Sequence, residues 1–249
     1  MQCGQLESVV SERQNAEVWR VTQERRPKWP SATFLAALEE QELRDLVCYG
    51  ELVEFRKGTP LIIRGEQKFD VFLLLDAVVK VTAPLDNEGE VLLAVRMGGD
   101  IVGEIAFADE QPRTATVTAC GPVLAVRLDR QDLRAAINRH PRAGESLMSA
   151  ITRKFRGSLE RHIEISSFPP RVRVARALLV MAVEYGYKTE KGTSVGVSLT
   201  RTELGTLVGV SESTVQRALR ALEREDLVKS SGRQQFLIPD MAALRRATL

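Results

Sequence analysis

The chain has 249 residues, of which 44% are hydrophobic and 27% are charged, and its 35 Lys and Arg against 33 Asp and Glu give a formal net charge of +2. This composition is ordinary for a folded globular protein and excludes the disordered and collagen-like classes. The length predicts about two domains, each large enough to bury its own core. No apolar run of about 18 residues occurs and residues 1–30 contain no hydrophobic signal segment, so we predict a cytoplasmic protein with no membrane partner.

Charge is distributed unevenly along the chain. Residues 171–249 hold 13 Lys and Arg against 8 Asp and Glu, whereas residues 1–170 hold 22 against 25. A basic C-terminal third hints at a polyanionic partner for that third alone. Chance scatter of surface charge explains the same numbers equally well, so this pattern needs a second, independent signal.

Cysteines and histidines are too few and too scattered to predict a metal centre. Cys3, Cys48 and Cys120 lie far apart in the sequence, which favours reduced thiols over a disulfide framework. They also lack the close spacing of many zinc and iron–sulfur sites. The two histidines, His140 and His162, lie outside the strands predicted below. We therefore predict no metal, haem or iron–sulfur cluster, and no enzyme active site.

The N-terminal region contains few apolar positions. Residues 1–30 are polar and charged and end in a segment with two prolines, which predicts a weakly ordered N-terminal extension in which a short helix can form. Helical spacing of apolar residues then begins and extends from Ser31 to Tyr49.

From Leu52 to Leu128 the sequence alternates between short Val-, Ile- and Leu-rich segments and turns rich in Gly, Asn, Asp and Pro. Many short strands at tight, regular spacing predict an antiparallel β-roll or sandwich, which we assign to residues 31–140. The predicted strands are Leu52–Phe55, Leu61–Ile63, Val71–Leu75, Val78–Thr82, Val91–Val95, Ile101–Val102, Thr114–Thr118 and Val123–Leu128.

A long helix is predicted over residues 141–168, after a short helix at Leu133–Asn138. One face repeats at heptad spacing, which is typical of a seam that packs against a second helix. Pairing of the helix with its copy predicts a homodimer, and packing against its own domain is the alternative. The seam residues are Met148, Ile151, Phe155, Ser158, His162 and Ile165. Pro169 and Pro170 end the helix and mark a domain boundary.

Residues 169–249 contain the pattern of a winged helix-turn-helix. Thr200 and Glu203 predict a capping box at the start of one helix, Gly209 supplies a turn, and Ser211 caps a second helix. Two short apolar segments flanking Ser231-Gly232 predict a β-hairpin wing. A helical hairpin with a solvated polar face is the alternative to a DNA-binding unit.

The second helix and the wing expose side chains that suit DNA. Arg and Gln can read base edges in a major groove, and other basic residues can contact phosphates. The candidate DNA-binding residues are Thr200, Ser211, Ser213, Gln216, Arg217, Arg220, Lys229 and Arg233; of these, Arg220, Lys229 and Arg233 suit phosphates.

A second motif occupies Val102–Val117. Gly103 and Glu104 end one predicted strand, a short helical turn follows, and Arg113-Thr114 begins the next strand. Backbone N–H groups, the guanidinium and the hydroxyl can converge on a small phosphate ester. Glu104 would repel a phosphate, so it suits a neutral hydroxyl such as a ribose 2′-OH. A surface salt bridge between Glu104 and Arg113 is the alternative.

This motif resembles the phosphate-binding cassette of cyclic-nucleotide-binding domains. With the long helix and the winged helix-turn-helix, residues 31–240 resemble the CRP/FNR transcription-factor family. The resemblance implies an α+β fold of antiparallel β-roll, dimerisation helix and winged helix-turn-helix. It implies that Glu104 binds the ribose 2′-OH and Arg113 the cyclic phosphate, assisted by Gly103 and Thr114. It also implies cAMP as an allosteric ligand, and double-stranded DNA and RNA polymerase as partners.

The long helix adds two ligand candidates and one departure from the family pattern. Ser158 falls where family members have a threonine that contacts the adenine, and Lys154 replaces a basic residue one turn earlier. Leu159 stands where a serine is expected, and Ala77 occupies a turn that glycine usually closes. These departures favour an alternative, a nucleotide-independent regulator with a degenerate pocket.

A cupin-like metalloenzyme is a further alternative. The absence of histidines from the predicted strands argues against it, because such enzymes bind their metal through histidines on the strands.

Overall fold

The computed structural model describes residues 15–85, 89–231 and 234–248. It divides into two compact units, one comprising the chain up to Val81 with Arg96–Lys154, the other Thr82–Val95 with Phe155–Leu249. The α+β fold expected from the sequence is confirmed, with antiparallel sheets, one helix of 27 residues and a C-terminal helix-turn-helix. Within the described ranges, no helix combines the length and hydropathy needed to cross a bilayer.

Eight strands build the β-roll in two four-stranded sheets, ordered β1-β8-β3-β6 and β2-β7-β4-β5. β3 is buried on both faces because its alternating side chains enter two cores: Val71, Leu73 and Leu75 pack with the helices, whereas Phe72 and Leu74 pack between the sheets. The strands are β1 Glu51–Phe55, β2 Pro60–Ile62, β3 Val71–Asp76, β4 Val78–Pro84, β5 Glu90–Met97, β6 Ile101–Val102, β7 Thr116–Ala119 and β8 Val123–Leu128.

Five α-helices of the described residues precede the helix-turn-helix region. The Asp129 carboxylate accepts hydrogen bonds from the backbone N–H groups of Gln131 and Asp132, which explains why the fourth helix starts three residues earlier than predicted. The long helix has the predicted bounds to within one residue. The helices are α1 at 15–25, α2 Glu40–Cys48, α3 Glu104–Asp109, α4 Arg130–Arg139 and α5 Pro141–Ser167.

The prediction of a weakly ordered N-terminal extension is wrong for residues 15–30. Val18 on α1 is only 1% exposed and belongs to the helix-facing core of the roll. The indole Nε1 of Trp29 donates a hydrogen bond of 2.8 Å to the Leu75 carbonyl. Trp29 fits because a Cβ on Gly99, whose φ is +91°, would lie 2.8 Å from the Trp29 Cβ. The segment therefore belongs to the folded roll, although it supplies few apolar residues to its core.

The C-terminal region is a helix-turn-helix with a four-stranded sheet of order β11-β12-β10-β9. The predicted wing hairpin is confirmed as β11 and β12. The strands β9 and β10 and the last helix were not predicted, because these elements are short and carry no strong periodicity. The elements are α6 Pro170–Glu184, β9 Tyr187–Thr189, β10 Gly192–Ser194, α7 Arg201–Val208, α8 Glu212–Arg224, β11 Lys229–Ser231, β12 Gln235–Ile238 and α9 Met241–Arg246.

Candidate functional site

The cassette begins with a left-handed glycine between β6 and α3. Gly103 has φ +92°, and a Cβ at this position would lie 2.7 Å from Nη1 of Arg113 and 2.8 Å from the Asp70 carbonyl oxygen. Both the backbone angle and the close approach therefore require glycine. The absence of a side chain lets the guanidinium of Arg113 lie directly against the turn.

Arg113 is a buried cation with a carboxylate partner that the sequence did not reveal. Its side chain is only 3% exposed, and its Nη2 donates to the carbonyl oxygen and Oδ1 of Asp70 at 2.6 and 2.8 Å. Nη1 donates to the Gly103 carbonyl oxygen at 3.2 Å. Burial lowers the pKa of Arg113, and the adjacent Asp70 opposes this shift. The Arg113 Nε is buried and has no hydrogen-bond partner among the described residues.

Glu104 pairs with the long helix and not with Arg113, so the predicted alternative of a Glu104–Arg113 salt bridge is wrong. Its Oε1 accepts a hydrogen bond of 3.0 Å from Nζ of Lys154 on α5. The same Nζ donates to the Ile101 carbonyl oxygen and lies 3.7 Å from Oδ1 of Asp100. The cassette carboxylate expected to meet a ligand is therefore paired with a cation from α5.

The structure brings four of the six predicted ligand residues together: Gly103, Arg113, Glu104 and Lys154. Thr114 is exposed beside Arg113 in the chain, and Ser158 is exposed on α5, four residues after Lys154. Neither hydroxyl forms a hydrogen bond with those four residues in the described part of the chain. Sequence reasoning missed Asp70 and Asp100, because Asp70 meets Arg113 across a separation of 43 residues and no local pattern marks it.

The seam predicted on α5 is partly exposed and partly packed. Met148 and Phe155 are each 64% exposed, and Ser158 and His162 are exposed as well. Ile151 instead packs against the helix-facing core of the roll. Packing of the helix against its own domain was the alternative to a dimer seam. Ile165 lies against the helix-turn-helix, since a Cβ on Gly209 would be 3.0 Å from its Cδ1. Leu159 and Ile163, which were not assigned to the seam, are exposed apolar residues on the same helix.

Capping residues stabilise the ends of the two helices of the helix-turn-helix. The Thr200 hydroxyl accepts from the Glu203 N–H at 3.0 Å, and Glu203 Oε2 accepts from the Thr200 N–H at 2.7 Å, so the predicted capping box is present. Gly209 ends α7 in the left-handed conformation, and the Ser211 hydroxyl accepts from the Thr214 N–H at 3.3 Å. The two serine and threonine caps are therefore engaged within the domain.

The outer face of α8 remains open to solvent. Ser213, Arg217 and Arg220 are exposed and Gln216 is half-buried, while the opposite face is buried. Arg217 Nη2 donates to the Thr214 hydroxyl at 3.1 Å, and Arg220 forms no ion pair with another described residue. The exposed Lys229 at the start of β11 pairs with Asp226 at 3.0 Å. Arg233 lies outside the described residues.

No cluster of three or more His, Cys, Asp or Glu side chains that could hold a metal ion occurs in the described parts of the chain. Cys48 and Cys120 form no disulfide among the described residues, and burial raises the pKa of the Cys48 thiol.

Two family profiles match the chain: a cyclic nucleotide-binding domain over residues 52–140 and a Crp-like helix-turn-helix domain over residues 172–247. The chain is 28% identical over 197 residues to a CRP-like cAMP-activated global transcriptional regulator of Mycobacterium tuberculosis, covering 78% of this chain and 87% of that protein. It is 27% identical over 193 residues to a cyclic AMP receptor protein of Thermus thermophilus, covering 77% and 86%.

Solved structures agree in fold. A CRP-family transcriptional regulator of Thermus thermophilus superposes with a TM-score of 0.68 at 21% identity, over 79% of this chain and 96% of that one. The c-di-GMP-responsive global regulator of Xanthomonas campestris gives 0.70 at 16% identity, over 80% and 99%. The chain belongs to the CRP/FNR family of transcription regulators, with a cyclic nucleotide-binding domain followed by a helix-turn-helix domain.

Proposed function

We propose that the protein is a homodimeric, sequence-specific transcription regulator whose affinity for DNA is modulated by cAMP bound in the β-roll. The observation that carries this proposal is the buried Arg113 beside Gly103: it keeps a buried N–H donor without a partner among the described residues, in a chain that also holds a Crp-like helix-turn-helix.

The donors of the cassette suit a cyclic mononucleotide. Arg113 uses three of its five N–H donors within the protein, so Nε and one Nη1 proton remain for a cyclic phosphate. Lys154 contacts Oε1 of Glu104, which leaves Oε2 to accept a hydrogen bond from the ribose 2′-OH. The Thr114 hydroxyl adds a donor at the phosphate. One buried guanidinium matches one cyclic phosphate, and the names of the two cAMP-dependent relatives support adenine as the base.

The exposed apolar residues of α5 support the homodimer. Met148, Phe155 and Ile163 remain largely exposed when packed only against the described residues, and pairing with a second copy would bury them. In the dimer, Ser158 at the seam would approach the adenine of a bound nucleotide.

The helix-turn-helix supports DNA reading by α8. Ser213, Gln216 and Arg217 would contact base edges, and Arg220 and Lys229 would contact phosphates. Two copies would present two recognition helices to successive major grooves. Nucleotide binding alters DNA affinity only if it favours one of two dimer states, which requires different nucleotide affinities in those states. RNA polymerase is the proposed protein partner, in keeping with the family.

Nucleotide-independent DNA binding is the second candidate function. The observation in its favour is that Arg113 and Glu104 have ion-pair partners within the chain itself, Asp70 and Lys154 respectively. Leu159, in place of a serine, would also remove one polar contact to the base.

Calorimetric titration of the full chain with cAMP, cGMP and c-di-GMP separates the two candidates. We expect saturable binding of cAMP, weaker binding after Arg113→Lys, and unchanged binding after Arg134→Lys, an exposed arginine of α4 as matched control. Gel shifts on DNA selected from a random library, with and without cAMP, measure the modulation. If the folded chain binds none of the three nucleotides but retains DNA binding, the nucleotide-independent candidate is correct. Sedimentation tests the dimer.

A further inference from the structure

The helix α8 begins with an acidic residue on the side proposed to face DNA. Glu212 is the first residue of α8 and is exposed. Gln216 and Arg220 follow at intervals of four, so the three side chains form one row along the helix. The N-terminal residues of a recognition helix lie nearest the base edges when the helix enters a major groove. Glu212 was not among the candidate DNA-binding residues, and phosphates would repel its carboxylate, so its place in this row needs a separate explanation.

A hydrogen bond from the preceding helix orients the Glu212 side chain. The Thr202 hydroxyl on α7 donates to Oε2 of Glu212 at 2.7 Å, across ten residues of the chain. Both residues are exposed, so this contact orients a side chain at the surface. Within residues 15–85, 89–231 and 234–248, no cation pairs with the Glu212 carboxylate, and Oε1 accepts no hydrogen bond. One oxygen of the oriented carboxylate is therefore available to an external donor.

Capping of α8 does not account for this orientation. An acidic residue in the first turn of a helix is favourable because of the helix dipole, but this effect requires only proximity to the free N–H groups. Ser211 is the N-cap of α8, and its hydroxyl already accepts from the Thr214 N–H at 3.3 Å. The Glu212 carboxylate accepts from a side chain of α7 and, among the described residues, from no backbone N–H of α8. The contact with Thr202 is therefore a feature that the stability of α8 does not require.

A carboxylate in the major groove favours cytosine over the other bases. The groove presents two kinds of donor, N4 of cytosine and N6 of adenine. The adenine donor lies between two acceptors, its own N7 and O4 of the paired thymine, whereas the cytosine donor has an acceptor on one side only, O6 of the paired guanine. Because a carboxylate has no proton to offer a neighbouring acceptor, it is repelled less at cytosine. The Gln216 amide carries both a donor and an acceptor, so it suits adenine.

We propose that Glu212 determines specificity by accepting a hydrogen bond through Oε1 from N4 of a cytosine, and that Thr202 positions its carboxylate. This inference rests on the proposed DNA-binding function and adds one base contact to it. Because Glu212 precedes Gln216 by about one helical turn, the cytosine lies close to the base pair that Gln216 contacts.

Selection of DNA from a random library with the full chain tests the base preference. We expect the unaltered chain to select a C·G pair at one position, and Glu212→Gln to lose this preference or replace it by A·T, because glutamine matches N6 and N7 of adenine. Glu190→Gln removes a carboxylate from an exposed residue between β9 and β10 and is the matched control, which should keep the original preference. Identical selected sequences for the unaltered chain and Glu212→Gln overturn the proposal.

Modified bases in the selected site assign the contact to one atom. N4-methylcytosine keeps Watson–Crick pairing but replaces the groove-facing proton of N4 by a methyl group, so it should weaken binding of the unaltered chain about tenfold. In Glu212→Ala the same methyl group should have no effect. 7-Deazaguanine in the same pair removes the N7 acceptor of guanine and should leave the affinity of the unaltered chain unchanged. An equal effect of the methyl group in the unaltered chain and in Glu212→Ala, or a loss with 7-deazaguanine alone, would assign the contact to another side chain and overturn the proposal.

Variants of Thr202 test its positioning role. Thr202→Val removes the donor at nearly unchanged volume and should reduce the effect of N4-methylation to about threefold, whereas Thr202→Ser keeps the hydroxyl and should restore about tenfold. A full effect of methylation in Thr202→Val would overturn the positioning role. Thermal unfolding midpoints of these variants and of Glu212→Gln should match that of the unaltered chain, because both residues are exposed. A lower midpoint of Glu212→Gln with unchanged base preference would identify a stabilising role at the helix terminus alone and overturn the proposal.

The same selection separates this inference from the proposed function. If the unaltered chain enriches no DNA sequence, sequence-specific DNA binding fails, and the role of Glu212 fails with it. If it enriches a sequence in which no position depends on Glu212, DNA binding stands and the role of Glu212 alone is overturned.

Discussion

The candidate ligand-binding residues and the candidate DNA-binding residues differ in burial and in ion pairing. In the roll, Arg113 and Glu104 are buried and already paired with Asp70 and Lys154. On α8, Arg217 and its neighbours are exposed, and only the helix beneath them is fixed by caps and a buried face. We therefore expect charges in the first region to contribute to folding as well as to the proposed ligand binding. We expect charges in the second region to contribute to the proposed DNA binding alone, so the two regions should respond differently to the same kind of substitution.

The largest expected effect is on the stability of the roll. Arg113→Met removes the short-range partner of Asp70 from a nearly buried position, which should lower the free energy of unfolding by about 3 kcal/mol. Urea unfolding of the full chain measures this. In the double variant Arg113→Met with Asp70→Asn, the loss should be smaller than the sum of the single losses, because the two residues interact directly. Strictly additive losses would mean that the pair contributes nothing to folding, and the contrast between the regions would disappear.

The corresponding substitution on α8 should leave stability unchanged and weaken DNA binding. Arg217→Ala should cost about 2 kcal/mol of affinity for a selected DNA site and relax sequence preference at one base position, because a base contact is lost. Its midpoint of thermal unfolding should match that of the unaltered chain. Arg20→Ala, which removes an exposed pair with Glu24 on α1, is the control and should alter neither quantity appreciably. A uniform loss across all DNA sequences would identify Arg217 as a phosphate contact instead.

The helix caps of the helix-turn-helix extend this comparison, because they contribute to the free energy of unfolding of that region. Thr200→Ala removes the acceptor of the Glu203 N–H and should lower the free energy of unfolding by about 1 kcal/mol. Thr200→Ser retains the hydroxyl and should recover most of this loss. Denaturant unfolding of both variants provides the measurement, and equal stability of the alanine and serine variants would contradict a capping role.

The smallest expected effect concerns a single phosphate contact. Arg220→Gln should reduce the salt dependence of DNA binding by about one unit of logarithmic slope while leaving sequence preference intact. Titrations over a series of salt concentrations give the slope. An altered base preference with an unchanged salt dependence would instead identify Arg220 as a base contact.

The sequence predicted the structural features that are determined by residues close together in the chain. The capping box at Thr200, the turn at Gly209 and the prolines after α5 are local signals, and each marks the element found there. The strands of the roll were also predictable, since turn residues separate short apolar segments. These signals act over a few residues, where backbone geometry and side-chain hydrogen bonding decide the outcome.

Contacts between distant residues were not predictable. Glu104 and Lys154 are 50 residues apart, and no spacing rule connects them. The prediction for the N-terminal segment failed for a different reason. Its composition is polar, but Val18 and Trp29 are buried in the core, and Trp19 and Val21 pack against that core. Residues that join the candidate site through long-range pairing, such as Asp70, could therefore be found only after the fold was known.

The anchoring of Trp29 and Val18 has a practical consequence for anyone shortening this chain to its predicted domains, which begin at residue 31. A version beginning at residue 31 would leave the Leu75 carbonyl without the indole donor and the turn at Gly98-Gly99 uncovered. It would also remove Arg25 from its ion pair with Asp76 at the end of β3. Deleting the residues before position 31 therefore removes core contacts of the roll. Any loss of ligand response in such a truncated chain would first indicate a destabilised roll and not a change in regulation.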